Sequence, residues 1–383
     1  MASKKKTPKK SRPRSRAATA TPVRVLENAA RSVLDTVERG ELPVMEFPSR
    51  SLSNVRYSPQ VGFFQLGPRT KRRALRANSA KTFAQTLRLM ALSKEMAATG
   101  DFATKREAYY VSKNWGECRF TEQTESDAVM DDVEALVSRD GVFREQLGFV
   151  PEEHGGSVVG NLVVREQDPE TGRTLSVDCG ALGSGAYTVP RNVEALTLES
   201  NADFVLAIET GGMFQRLHSH RFWRKHRCIL VELAGVPSRA TRRFVRRLSE
   251  DLDLPVFCFV DCDPYGIANI YRTLKVGSGS SAHVNRFFAV PKASYLGVTP
   301  QDIIDFELAD ATHPLQAVDI KRAEDALKND PFFRAHPRWR VAIEQMLSMG
   351  VRAEQQALAK WGLNFVIDEY LPRKLAARDT FLP

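Results

Sequence analysis

The chain has 383 residues, 43% of them hydrophobic, and a formal net charge of +9. That length predicts two or three domains. No run of about 18 apolar residues occurs, so a helical membrane span is excluded, and the N-terminus lacks the apolar stretch of a secretory signal.

Residues 1–22 read as a disordered basic tail, because Ser, Pro, Lys and Arg cannot build a core. Eight of the basic residues fall within 1–16, from Lys4 to Arg16, with no acid among them. The remainder is therefore nearly neutral, and a nucleic-acid reading must rest on patches rather than on overall charge. Residues 23–39 space their apolar side chains as a helix and stop at Gly40. Residues 41–68 are irregular or short strands, punctuated by Pro43, Pro48, Pro59 and Pro68. Together 23–74 form an N-terminal extension. Helices follow over 79–98, 104–114 and 125–139. Ser157 to Val164 alternates as a strand after the turn His154-Gly-Gly156. This pattern predicts a winged-helix domain over 75–165, then a polar, turn-rich connector with some strand over 166–200.

From 201 to 383 the pattern becomes α/β. Strands are expected near 204–208, 228–233, 255–260 and 286–291, with helices near 213–222, 238–251 and 264–275. Such alternation predicts a parallel sheet with helices on its faces. Helical stretches near 299–308, 316–329, 338–348 and 350–361 complete the domain.

The most informative segment is Asp261-Cys-Asp263-Pro-Tyr-Gly266, directly after the apolar run 255–260. Residues i and i+2 of a strand point the same way, so Asp261 and Asp263 can face one cation. Glu209 ends the run 202–208 in the same repeating unit. Oxygen ligands in this number suit Mg²⁺, which keeps several waters and bridges to phosphate. The same residues also read as a turn and helix N-cap, with Pro264 the first helical residue. The pattern of a Glu on one strand end and Asp-x-Asp on another resembles the Toprim domain of topoisomerases and primases.

Thr104-Lys-Arg-Glu107 has the spacing of a capping box. It places Arg106, Tyr109 and Tyr110 in the first two turns of a helix, with Arg106 and Tyr110 at i and i+4. A guanidinium beside a phenol favours the phenolate and attracts phosphate, which makes an activated nucleophile. Tyr109, at i+3, remains an alternative on spacing alone. Two basic patches stand out: Arg69, Lys71, Arg72, Arg73 and Arg76 in one run, and Arg239, Arg242, Arg243, Arg246 and Arg247 at helical spacing. Both are candidates to track a phosphate backbone. The five cysteines are scattered and mostly in apolar runs, as for buried thiols. His218, His220 and His226 lack the partners of a zinc site.

These pieces combine in one order along the chain. Arg50-Ser-Leu-Ser-Asn54, Arg106-Glu-Ala-Tyr-Tyr110, Phe120-Thr-Glu-Gln-Thr-Glu-Ser-Asp127 and Ile208-Glu209 come first. Gly235-Val-Pro-Ser-Arg-Ala-Thr-Arg242, Asp261–Gly266, Leu274-Lys-Val-Gly-Ser278 and Tyr370-Leu-Pro-Arg-Lys374 follow. Over about 24–383 the chain resembles the A-subunit family of DNA topoisomerase VI, whose relatives include the meiotic transesterase that makes double-strand breaks. The resemblance implies Tyr110 as nucleophile, Arg106 as its partner, and Mg²⁺ at Glu209, Asp261 and Asp263. It implies double-stranded DNA as substrate and a homodimer in which the tyrosine of one protomer meets the acids of the other. It also implies a GHKL-type ATPase B subunit in an A2B2 assembly, where the partner rather than this chain binds ATP. The expected location is cytoplasmic, at the nucleoid. One departure is Thr210, where the family usually has Lys. Water or Glu107 is left to take the phenolic proton. A break-only transesterase, a Toprim nuclease or primase, and a non-catalytic DNA-binding module are the rival readings.

Overall fold

The computed structural model describes residues 21–168 and 170–383; nearly all of the expected basic tail lies outside them. Helix α1 (Pro22–Glu38) opens with proline, which lacks a donor the first turn would waste. A two-stranded ribbon follows, β1 (Val44–Pro48) against β2 (Thr70–Ala74). Helices α2 (Ala80–Thr99), α3 (Lys105–Val111) and α4 (Gln123–Val137) then pack through Leu89, Met90, Ala108, Val129 and Val133. Helix α2 ends at Gly100, whose φ of 74° is the left-handed conformation that closes a helix without a Cβ clash.

The second body is a six-stranded sheet. Its strands in chain order are β3 (Ser157–Gly160), β6 (Tyr187–Thr188), β8 (Phe204–Ile208), β9 (Cys228–Glu232), β10 (Val256–Phe259) and β11 (Ala293–Gly297). Between them, β4 (Leu162–Gln167), β5 (Thr174–Asp178) and β7 (Thr197–Ser200) form a separate antiparallel sheet in the order β7-β4-β5. The six-stranded order is β6-β3-β9-β8-β10-β11. Strands β9, β8, β10 and β11 run parallel, while β3 and β6 add an antiparallel edge. Every residue of β8 and β10 is buried. This explains why they read as unbroken apolar runs: helices cover both faces of a parallel sheet. Helices α5 (Gly211–Ser219) and α6 (Arg239–Asp251) supply part of that cover.

Strand β8 pairs with β9 on one side and β10 on the other. The chain therefore winds outward from β8 in both directions. The crevice at the C-terminal ends of β8 and β10 is a topological switch point, where open α/β sheets bind ligands.

Three expectations need correction. Ser157–Gly160 is not the wing of the helical domain; it hydrogen-bonds to β9, so the helical unit ends before it. The connector 166–200 holds the strand expected of it, as β5, β7 and the end of β4. The strand expected at 286–291 is instead a short helix, Asn285–Phe288, and the fourth parallel strand is β11. The apolar residues there serve another purpose: Val284 and Phe288 pack on Phe143 of the helical domain, and Pro291 has no N–H to donate to a ladder. The helix expected at 350–361 is a two-residue strand, Val351–Arg352, followed by a 3-10 helix, Gln355–Trp361. No helix among the described residues is long and apolar enough to cross a membrane.

Candidate active site

The capping box at Thr104 forms as expected. Glu107 N donates to Thr104 Oγ1 at 3.1 Å, and Thr104 N donates to Glu107 Oε2 at 2.7 Å. These bonds hold the Glu107 carboxyl below its ordinary range, which makes it a poor proton acceptor. The cap fixes the face that α3 presents. Arg106 is exposed and has no ion pair among the described residues.

The two tyrosines differ sharply. Tyr109 packs against the helical core, and its hydroxyl donates to Thr121 O at 3.1 Å and accepts from Lys113 Nζ at 2.8 Å. Lys113 also lies 3.9 Å from the Tyr109 ring centroid. Tyr110 is 58% exposed, and no hydrogen bond among the described residues engages its hydroxyl. Spacing left both candidates open; packing separates them.

Glu209, Asp261 and Asp263 sit together at the switch point. Asp261 N donates to Glu209 Oε2 at 2.8 Å, and Glu209 N donates to Phe259 O at 3.0 Å. Gly266 N caps onto Asp263 Oδ1, so the helix-cap reading of Asp263 also holds. Burial, and then the neighbouring Asp261 carboxylate, push Glu209 up to about 8. Burial with the charge of Asp263 pushes Asp261 up to about 6, and burial also raises Asp263. Buried together with little positive charge beside them, the three carboxyls hold their protons more tightly than free ones. The carboxylates do not close into a ready three-ligand shell; no three His, Cys, Asp or Glu side chains among the described residues do. An ion that keeps most of its waters and leans on phosphate does not need such a shell, so this donor set fits Mg²⁺. The five cysteines are free. His218 is buried beside Phe214 and His226 stacks on Phe222.

A wall of this crevice was invisible in the sequence. Ala353 exchanges backbone hydrogen bonds with Cys262 at 2.8 and 3.0 Å. Gln355 N donates to Asp261 Oδ1 at 2.8 Å, and its side chain joins Phe259 O to Thr210 Oγ1. Arg352 lies 3.8 Å from Asp263.

The basic patches divide. Arg69, Lys71, Arg72 and Arg76 are exposed, and the last three line a cleft of about 690 Å³. Arg73 points inward to Asp132 at 2.7 Å and Thr86. The expected stripe on α6 is not a solvent face. Arg239 binds Glu134 and Glu145, each at 2.7 Å. Arg243 binds Glu194. Arg242 is half-buried near Phe288, pushed down to about 10 by burial and by Arg239. Arg73, Arg239 and Arg243 thus spend their guanidiniums on carboxylates of the fold, while Arg69, Lys71, Arg72 and Arg76 stay exposed.

With this geometry in place, comparison with known proteins is decisive. Residues 204–375 match the family described as the topoisomerase 6 A-subunit/Spo11 Toprim domain. Residues 152–202 match an all-beta domain in DNA topoisomerase VI alpha subunit, and 81–148 match Type IIB DNA topoisomerase. The A subunit of type 2 DNA topoisomerase 6 from Methanocaldococcus jannaschii is 54% identical over 354 residues, covering 92% of this chain and 94% of that protein. The chain belongs to the topoisomerase VI A-subunit family. Proteins of the same name from Natronomonas pharaonis and Methanothermobacter thermautotrophicus are 40% and 38% identical, covering 89% and 90% of this chain and 91% and 94% of theirs.

Within the topoisomerase VI framework, several of the motifs turn out to be architectural. Arg50 ties the ribbon to Asp131 and Asp132 of α4. Asn54 binds the carbonyls of Ser49, Gly67 and Arg69. Lys275 donates to Pro291 O and Ala293 O, and burial pushes it down to about 8. Tyr370 and Lys374 both bind Asp302 at 2.8 Å.

Proposed function

We propose that this chain is the DNA-cleaving and resealing subunit of an ATP-dependent type IIB topoisomerase. The observation that carries the reading is a division of labour. A free phenol and a free guanidinium share a capped helix in one domain, and charge-starved carboxylates meet at a sheet switch point in another.

Tyr110 attacks a backbone phosphorus. Its oxygen–phosphorus bond forms, the bond to the departing sugar oxygen breaks, and that oxygen leaves as a hydroxyl. The proton lost by the phenol balances the one gained by the sugar. Glu107 is occupied by its cap, so solvent accepts the phenolic proton. Arg106 stabilises the charge that grows on the phosphoryl oxygens. Glu209, Asp261 and Asp263 would hold Mg²⁺, which supplies Lewis-acid stabilisation of the phosphate and the leaving oxygen. The phosphotyrosyl link keeps the bond energy, so resealing is the reverse attack and needs no nucleotide. The exposed Arg69, Lys71, Arg72 and Arg76 contact the phosphate backbone away from the cut.

Strand passage requires energy, and no Gly-x-x-x-x-Gly-Lys-Ser/Thr loop occurs in the chain. A GHKL-type ATPase B subunit supplies it, in an A2B2 assembly. Two strands need two nucleophiles, which a two-fold dimer presents. Tyr110 lies in the segment 81–148 and the three acids in the Toprim segment 204–375. That division between domains supports a site shared across the dimer, the tyrosine from one protomer and the acids from the other. Mixing Tyr110→Phe protomers with Glu209→Ala protomers tests it. Each heterodimer then has one doubly damaged and one intact site, and nicking should return from two inactive parents. Verified heterodimers that fail to nick would mean that each protomer builds its own site.

A further inference from the structure

Glu209, Asp261 and Asp263 have, among the ion pairs of the described residues, a single cationic neighbour: Arg352. It comes from outside the β/α unit. Val351–Arg352 pairs with His313–Pro314, and Ala353 is stitched to Cys262 between the two aspartates. The backbone that carries Arg352 is therefore fixed to the turn that carries Asp261 and Asp263.

The guanidinium is poorly spent where it lies. Its Nη1 is 3.8 Å from Asp263 Oδ2 and its Nε is 3.8 Å from Asp319 Oδ2. Both separations exceed hydrogen-bond length. The Nε is buried without a hydrogen-bond partner, while the side chain keeps 26% of its surface open. A residue serving only to neutralise carboxylates closes to a bidentate fork when it can. Asp319 also has other partners, Arg322 at 3.7 Å and Gln316 N at 3.1 Å. Asp263 keeps one oxygen on Gly266 N. Arg352 thus stands beside the acids with donors unused and one side open.

We infer that Arg352 binds a backbone phosphate of DNA next to Asp263, supplying the positive fork that the strand ends themselves lack. The inference rests on the transesterase reading and deepens it. Arg352 and the acids act as one phosphate seat: carboxylates for the cation, guanidinium for a non-bridging phosphate oxygen.

The test uses the full chain with its ATPase partner and a short labelled duplex, with MgCl₂ or with EDTA. Affinity and covalent adduct are followed in parallel, together with the Mg²⁺-induced rise in melting temperature without DNA. Arg352→Gln should lose about tenfold of the Mg²⁺-dependent gain in DNA affinity and keep the Mg²⁺-induced melting shift. Arg352→Lys should stay within about fivefold of wild type, as a charge without the fork. A wild-type gain in Arg352→Gln overturns the proposal, and so does a lysine variant no better than glutamine. Loss of the melting shift along with affinity overturns it as well, because the residue would then act on the carboxylates alone. If Arg352→Gln does not fold, Arg352→Lys decides: a measurable weakening supports the contact and full wild-type affinity refutes it. A wild-type protein that binds DNA but forms no adduct sinks the transesterase reading alone, because the affinity measurement does not pass through Tyr110.

Discussion

Two arginine-bearing helices of this chain behave as opposites in the fold. On α3, Arg106 and Tyr110 stand in solvent with no polar partner among the described residues. On α6, Arg239 is sunk between domains, bound to Glu134 and Glu145 and lying 4.4 Å from the Phe288 ring centroid. Burial alone would raise the Glu134 carboxyl. The charges of Arg239 and Arg144, with the His283 hydrogen bond, more than offset it and hold Glu134 well below its usual range. A charged group whose partners are already supplied by the protein is building material. One left unpaired at a surface is available to a substrate. The contrast also separates the neighbouring tyrosines, since Tyr109 has spent its hydroxyl and Tyr110 has not.

The sharpest break in that contrast comes from the tyrosines. Tyr110→Phe should cut covalent adduct formation by at least about a thousandfold without loss of folding. Tyr109→Phe should leave the adduct within about tenfold and cost about 1 kcal/mol of stability from its lost hydrogen bond. Reversed outcomes in adduct gels would end the assignment. Next comes Arg239→Ala, which strands two buried carboxylates. It should destabilise the protein by about 3–5 kcal/mol in urea unfolding, whereas Arg106→Ala should change stability by less than about 0.5 kcal/mol. Equal effects would erase the distinction.

A smaller effect tests the charge-starved acids. Glu209 and Asp261 have folded pKa values above their ordinary ones, so the folded state holds those protons more tightly. The stability this gives is present below the ordinary carboxylate range and is lost as pH rises through about 6 and then about 8. In chelator the melting temperature should fall across that window, Mg²⁺ should restore it most at the alkaline end, and Glu209→Gln should flatten the decline. A variant with the same pH profile as wild type would argue against the strain. The smallest effect belongs to the ribbon. Arg72→Ala and Arg76→Ala should each lower DNA affinity mildly and reduce the salt slope by about 1, while Arg242→Ala should leave the slope unchanged.

Much of this was legible because local pattern and fold agree. The all-apolar run Phe204–Ile208 forms the strand expected of it, as do the runs ending in Glu232 and Phe259. The capping box at Thr104 appears with both its bonds. Legibility failed where one composition serves two purposes. The run at 286–291 has the apolar content of a strand, but its Phe288 is consumed at the domain interface. The arginine spacing on α6 is that of any amphipathic helix, and only the position of Glu134 and Glu145 reveals which way it faces. Arg352 and Gln355 gave no local signal, because a backbone bridge spanning about ninety residues brings them to Asp261.

The joint between the two domains has a mechanical consequence. Glu134 binds Arg239 and His283, the Arg286 guanidinium binds Ser138 O, and Phe143 packs against Phe287 and Phe288. Tension applied to the helical domain is thus passed to the sheet through charged, aromatic and backbone couplings side by side. Within a protomer such a joint works as a beam rather than a hinge. On the dimeric assembly proposed above, the separation that lets a second duplex through then falls to the seam between protomers, where no covalent chain crosses.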